Sequence, residues 1–128
     1  RSSSREVEIA AVVGDVREKV PVIVDDIIAT GGTISRAVAT LIEAGARPEA
    51  WVVATHGVLA GDAGAYLNDP HIREIVVTDT IPISAEKRAA LPNLHVVSIA
   101  GLLASAIHRL HNGLSLSALF PRDGAQPI

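Results

Sequence analysis

Two adjacent acidic residues and a glycine turn form the part of this sequence best suited to chemistry. Asp25 and Asp26 are followed, after three apolar residues, by Thr30-Gly31-Gly32-Thr33. Glycines let a backbone approach a ligand closely, and the free amides at a helix start bind phosphate at the positive end of the helix dipole. Carboxylates beside such a cradle repel a bare polyphosphate, whereas they accept hydrogen bonds from sugar hydroxyls.

These residue types predict a sugar-phosphate site. The phosphate is expected on the amides of residues 30–33, and the ribose 2- and 3-hydroxyls on Asp25 and Asp26. The segment is neither a Walker A loop, which needs Gly-Lys-Ser/Thr, nor a GxGxxG fingerprint. The plainer alternative is a strand-turn-helix connection in which a buried aspartate only caps the helix.

The elements on either side should hold this loop. Val22-Ile23-Val24 predicts a strand covered on both faces. Thr33 is the expected N-cap of the next helix, and Gly45 is its expected stop. The apolar side of that helix is predicted from residues at helical spacing: Ile34, Ala37, Val38, Leu41 and Ile42.

Alternation of strands and helices along the chain predicts an α/β fold, with a mainly parallel sheet and helices on both faces. The other predicted strands are 7–13, 51–55, 75–78 and 94–99, and Ser115–Phe120 is expected to form a short strand or a tail. Further helices are expected from Asp62 to about Leu67, after Ser84 to Ala90, and over 102–110.

Other polar residues stand where strands end, and each has a plain interpretation. His56 and Asp79 could border a ligand site, but a lone histidine here is more often a structural hydrogen-bonding residue, and Asp79 could equally start a turn. Asp62 is most simply a helix cap, and Lys87 and Arg88 a solvated helix face. The five histidines show no paired metal spacing, so no metal bound by this chain is predicted.

Composition excludes several classes of function. With 11 basic and 14 acidic residues the net charge is −3, which does not suit nucleic-acid binding. The absence of cysteine excludes a disulfide scaffold or a thiolate metal site and suits a cytoplasmic protein. No apolar run reaches the ~18 residues of a membrane span, and 128 residues are enough for one domain.

Several motifs taken together carry a resemblance to a known family. Val24 to Thr33 resembles the phosphoribosyl-diphosphate (PRPP) loop of type I phosphoribosyltransferase folds. The order and spacing of the other motifs resemble the C-terminal part of ribose-phosphate diphosphokinases over residues 1–120. Those motifs are Gly14-Asp15-Val16, Ala54-Thr55-His56-Gly57, Gly61-Asp62-Ala63, Asp79-Thr80-Ile81-Pro82, His111-Asn112-Gly113 and Ser115 to Phe120.

The resemblance implies roles for individual residues. Binding of ribose 5-phosphate or PRPP is implied for Asp25, Asp26, Ala29, Thr30, Gly31, Gly32 and Thr33. Arg1 matches an arginine that helps hold ribose 5-phosphate, and Ser115 and Ser117 match serines at a regulatory phosphate or ADP site between subunits. Many bacterial members carry aspartate where this chain has Ala29, which leaves the subclass open but should not abolish binding by backbone amides.

The resemblance also implies a reaction and its partners. Complete enzymes of the family form homo-oligomers and convert ATP and ribose 5-phosphate to AMP and PRPP, with Mg²⁺ accompanying ATP. Residues 1–120 would be a truncated phosphoribosyltransferase-like domain without its first strand-helix unit and without the N-terminal domain, and 121–128 a disordered tail. The chain would lack the catalytic lysine and the ATP and magnesium residues, so we expect it to be inactive alone, with no catalytic residue of its own.

Other functions share parts of this pattern. A purine phosphoribosyltransferase would have the same loop, but it needs a base-binding hood. A PRPP-sensing regulator would normally add a basic nucleic-acid-binding region. A catalytically silent protein associated with PRPP synthetase would keep the whole pattern.

Overall fold

The computed structural model describes residues 12–120. The chain divides into two compact units, one ending at Val97 and the other beginning at Ser98. The strand expected over residues 7–13, Arg1 and the tail 121–128 lie wholly or mostly outside the described residues.

The first unit is built from alternating strands and helices. The strands are β1 (Val22–Ile28), β2 (Ala50–Gly57), β3 (Ile72–Thr78) and β4 (Leu94–Val97), and the helices are α1 (Gly32–Glu43), α2 (Ala63–Leu67) and α3 (Ala85–Ala90). All neighbouring strands are parallel, in the order β1-β2-β3-β4. The sequence-based prediction of an α/β fold with a parallel sheet flanked by helices is confirmed.

The hydrophobic core lies between one face of this sheet and the helices. The strands follow one another across the sheet in chain order, so every crossover moves in the same direction. Because such crossovers are right-handed, they place α1, α2 and α3 on the same face of the sheet. The buried cluster joins that face to the helices through Val52, Ile75, Val38, Leu67 and Leu91. Burying each such side chain contributes roughly 1.5–3 kcal/mol. The expectation of helices on both faces is not met within this unit.

Strand β1 differs from its prediction in burial. Its side chains alternate between the covered and the uncovered face, and Val22 is 60% and Val24 75% exposed. The expectation of a strand covered on both faces is therefore wrong in this chain. A run of apolar residues indicates that a strand is suited to burial, but it does not identify any element that would cover either face of the strand.

The second unit contains helix α4 (Ala100–His111) and a short 3₁₀ helix, Leu116–Leu119. Ser115 is the N-cap of the 3₁₀ helix, because its hydroxyl accepts a hydrogen bond from the amide of Ser117 at 3.2 Å. The expectation of a short strand over Ser115–Phe120 is wrong. A serine that bonds to the backbone two residues ahead favours a turn over an extended chain.

Candidate functional site

The loop after β1 depends on Gly31. Its φ of 84° lies in the left-handed region, and a Cβ at this position would lie 2.6 Å from Cγ of Leu67. Any residue with a side chain would be strained there, and its Cβ would collide with the side chain of Leu67 in α2. Gly31 is therefore a structural requirement of the turn.

Helix α1 begins directly after Gly31 and leaves its first amides without acceptors in the helix. The first intrahelical bond runs from the amide of Ser35 to the carbonyl of Gly31 at 2.9 Å, and no side chain caps the helix. Gly32, Thr33 and Ile34 consequently present the unpaired N–H groups of a helix start. This arrangement binds anions. The prediction that Thr33 is the N-cap is wrong, because Gly31 occupies that position.

Gly32 differs from Gly31 in that a side chain there would not collide at its Cβ. A Cβ built there would meet only ordinary contacts, with Thr30 Oγ1 at 3.8 Å and the Tyr66 ring at 3.9 Å, and its φ is not positive. Neither backbone strain nor packing requires glycine at this position. Close approach of a ligand to the amides supplies a reason for it.

The two carboxylates lie within β1, the second of them two residues before the strand ends at Ile28. Asp25 is half-buried and its Oδ1 accepts a hydrogen bond from the amide of Asp26 at 2.8 Å, whereas Asp26 is exposed. Neither is sealed in the core. Because successive side chains of a strand point to opposite faces of the sheet, the two carboxylates approach the loop from different sides, and their joint contact with one sugar remains a prediction.

A second loop, residues 58–62, follows the neighbouring strand β2. The amides of Val58 and Leu59 each donate to the carbonyl of Ile28 at 3.1 Å, and the amide of Ala60 donates to the carbonyl of Ala29 at 2.7 Å. We call Val58–Ala60 the brace, because it is bonded to the residues that lead into Thr30. The brace ends before Asp62, whose Oδ1 accepts from the amide of Ala65 at 3.3 Å and caps α2, as the sequence predicts.

His56 lies at the end of β2 in a network of threonines. Its Nδ1 is 2.9 Å from Oγ1 of Thr80. The hydroxyls of Thr78 and Thr80 both lie within hydrogen-bonding distance of the carbonyl of Thr55, at 2.7 and 3.1 Å. If both hydroxyls donate to that carbonyl, the imidazole donates through Nδ1 to Thr80. His56 thus makes a structural hydrogen bond, and whether it also borders a ligand site stays a prediction.

Lys87 corrects the prediction of a solvated charge on α3. Its Nζ donates to the carbonyl of Val58 at 2.8 Å, and the side chain is half-buried. The neighbouring Arg88 is exposed, as predicted. The sequence carries no signal for this contact, because the two residues are 29 positions apart.

The expected regulatory serines lie in the second unit. The hydroxyls of Ser115 and Ser117 are 2.7 Å apart, and Nε of Arg109 donates to the carbonyl of Ser115. Arg109 is thus bonded to the 3₁₀ segment instead of simply facing water. Arg1 lies outside the described residues. Its expected part in ribose 5-phosphate binding remains a prediction.

Two further features of the described residues concern metals and membranes. Within residues 12–120, no group of three or more His, Asp or Glu side chains is arranged to hold a metal ion. Among the helices described, none has both the length and the apolarity needed to cross a membrane.

The amino-acid sequence is similar to that of proteins of known class. A family model described as "Phosphoribosyl synthetase-associated domain" matches residues 2–121. The chain is 45% identical over 120 residues to ribose-phosphate pyrophosphokinase A of Dictyostelium discoideum, covering 94% of this chain and 37% of that protein. The corresponding enzyme of Caldanaerobacter subterraneus is 42% identical with the same coverage.

A solved structure is similar as well. The chain superposes on phosphoribosylpyrophosphate synthetase from Mycobacterium smegmatis with a TM-score of 0.73 and 46% identity, covering 79% of this chain and 33% of that one. The chain thus spans little more than a third of the length of the curated relatives it matches. Since the family model matches almost the whole sequence, the chain belongs to the phosphoribosyl synthetase-associated domain family.

Proposed function

We propose that this chain is the ribose-5-phosphate- and PRPP-binding, C-terminal portion of a ribose-phosphate diphosphokinase. The observation that carries the proposal is the helix start at Gly32, where three amides have no acceptor in the helix and two carboxylates stand on the adjoining strand. The similarity to ribose-phosphate pyrophosphokinases over 94% of the chain supports it.

In this proposal the phosphate binds to the amides of the loop from Ala29 to Thr33, and the carboxylates of Asp25 and Asp26 accept hydrogen bonds from the ribose hydroxyls. Hydrogen bonds involving a charged group are stronger than neutral ones. The amides would therefore hold the phosphate and the carboxylates the ribose hydroxyls. The anomeric hydroxyl would stay free to react with groups that other parts of the full-length enzyme supply. Ala29 adds no third carboxylate, which limits repulsion of the phosphate.

In the complete enzyme the anomeric hydroxyl would attack the β-phosphorus of Mg-ATP and release AMP. That displacement depends on positioning and on cations that neutralise charge on the transferred group. In this proposal Mg²⁺ accompanies ATP in the full-length enzyme and is not bound by this chain. This chain would contribute only the position of the acceptor sugar, and homo-oligomers are proposed for the full-length protein.

Calorimetry with ribose 5-phosphate tests the binding loop. Gly32→Val adds a side chain over the helix start, at a position where a Cβ meets only ordinary contacts, so it should lower affinity about 10- to 100-fold, equivalent to roughly 1.4–2.7 kcal/mol. Asp25→Ala removes a sugar contact and should lower affinity about 10-fold or more. Arg36→Ala, an exposed change one turn along α1, serves as the control. Equal affinity in the wild type, Gly32→Val and Asp25→Ala would contradict the assignment.

A second candidate is a catalytically silent protein associated with PRPP synthetase, supported by the match of residues 2–121 to the phosphoribosyl synthetase-associated domain. Both candidates predict that the 128 residues alone release no AMP from ATP and ribose 5-phosphate. A coupled assay of AMP release checks this, and measurable turnover would refute it. Adding the chain to a purified diphosphokinase separates the two: only an associated protein should change the activity of that enzyme.

A further inference from the structure

The brace is hydrogen-bonded to the residues that lead from β1 into the proposed phosphate loop. Its three amides bond to the carbonyls of Ile28 and Ala29, the two residues directly before Thr30. Because those carbonyls are held at 2.7 to 3.1 Å, the direction in which the chain leaves β1 is set by β2 as well as by β1 itself. The phosphate loop is therefore positioned from a neighbouring strand.

The brace adopts a backbone conformation that needs support. Leu59 has a φ of 48°, in the left-handed region that residues other than glycine rarely adopt. Its side chain is 1% exposed and belongs to the hydrophobic core. A strained residue of this kind persists only where its surroundings over-determine it. Core packing holds one side of Leu59, and a second contact holds its peptide group.

That second contact is Lys87. Its Nζ donates to the carbonyl of Val58 at 2.8 Å, and this carbonyl belongs to the same planar peptide unit as the amide of Leu59. A continuous chain of hydrogen bonds thus runs from Lys87 through one peptide plane to the carbonyl of Ile28. Bonds in such a chain polarise and strengthen one another.

Helix α3 gives Lys87 a fixed base. The amide of Lys87 donates to the hydroxyl of Ser84, which caps the helix. Nδ2 of Asn68 donates to the carbonyl of Ala90 at 2.8 Å, and Leu91 is buried just beyond the helix end. Lys87 is also the one residue of the helix that is not exposed. Its ammonium is therefore directed at the brace by a helix that is capped at its start and bonded to Asn68 at its end.

We propose that Lys87 is a positioning residue for the sugar-phosphate loop, acting through the Val58–Leu59 peptide on Ile28 and Ala29. The inference rests on the proposed function, since it assigns to Lys87 the task of presenting the loop to ribose 5-phosphate. Lys87 makes no contact with the ligand in this account. Its removal lets the peptide plane rotate and lowers the fraction of molecules in which the loop is preformed.

The test is calorimetry with ribose 5-phosphate, carried out on the 128-residue chain well below its unfolding temperature. Lys87→Met keeps the length of the side chain and removes the donor. The expected result is a roughly 2- to 30-fold loss of affinity, the usual range for residues that act on a site without touching the ligand. Arg88→Met is the matched control, because it removes an exposed charge from the same helix, and its affinity should stay within about twofold of the wild type.

Two measurements distinguish positioning from a purely structural role. Lys87→Arg retains a charged donor and should recover part of the affinity lost in Lys87→Met. Amide hydrogen exchange at Leu59 and Ala60 should accelerate in Lys87→Met at temperatures where the core amides of β2 and β3 stay protected. Should Lys87→Met fail to fold, Lys87→Gln, which has a shorter neutral donor, is measured in the same way and is expected to lose affinity.

The outcomes separate this inference from the proposed function. If the wild type binds ribose 5-phosphate and Lys87→Met binds it equally well, the positioning role is overturned and the proposed function stands. If the wild type binds no ribose 5-phosphate, the proposed function fails and the inference fails with it. If affinity falls equally in Lys87→Met and Arg88→Met, loss of net charge explains the result and the positioning role is also overturned.

Discussion

Two loops follow neighbouring parallel strands in this molecule, and they use their backbone amides in opposite ways. After β1, the turn at Gly31 opens α1 without a side-chain cap, and the first amides of the helix have no acceptor in it. After β2, the amides of the brace are bonded to Ile28 and Ala29, and α2 is capped by Asp62. The first loop leaves its donors without acceptors in the helix, whereas the donors of the second are bonded to the residues that lead into the first.

The difference shows how a loop can be held in place while its own amides lack acceptors. A buried or half-buried backbone group without a partner is unfavourable, so a loop with open amides needs support from elsewhere. Here the support comes from the left-handed Leu59, the core around it and the ammonium of Lys87. In the proposed function, the loop after β1 would bind the ligand, whereas the backbone strain lies at Leu59 in the loop after β2.

The largest effect is expected from Gly31→Ala, which tests whether the first loop depends on its turn. A left-handed alanine and a Cβ that collides with Leu67 should together lower the free energy of unfolding by about 2–4 kcal/mol. Urea denaturation followed by circular dichroism measures this. Gly32→Val is the neighbouring control, because it has room, and should change stability by less than about 1 kcal/mol. Equal stability losses would remove the distinction between the two glycines.

A smaller loss of stability should show that α2 is capped by a side chain whereas α1 is not. Asp62→Ala removes the cap of α2 and should lower the free energy of unfolding by about 1 kcal/mol. Thr33→Ala is the matched change in the first turn of α1, where the side chain is exposed and caps nothing, and it should alter stability by less than about 0.5 kcal/mol. The same denaturation curves measure both. A loss at Thr33 as large as that at Asp62 would mean that Thr33 caps α1 after all.

Much of the fold could be predicted from local patterns. The strand before Asp25, the helix that ends at Gly45, the cap at Ser84 and the amphipathic helix over 102–110 all appear within a few residues of their predicted positions. Each depends on interactions between residues close in sequence, which periodicity and capping rules describe. The pairing of parallel strands followed from the alternation of strands and helices.

Features that depend on distant partners could not be predicted in this way. The N-cap fell on Gly31 instead of Thr33 because the left-handed turn packs against Leu67, 36 residues away in α2. Lys87 looked like a surface charge, because nothing near it in sequence identifies the carbonyl of Val58 as its partner. The exposure of Val22 and Val24 was missed for the same reason.

The amino-acid sequence by itself determined the α/β pattern, the glycine turn at the end of β1 and the acidic pair beside it, because these depend on local conformational preference and residue chemistry. Only the tertiary structure decided which amides remain open, which glycine is needed for the turn and which lysine supports the loop. Those properties arise where β1, β2, α2 and α3 meet, and hydrogen bonds between separate elements exist only once the chain has folded.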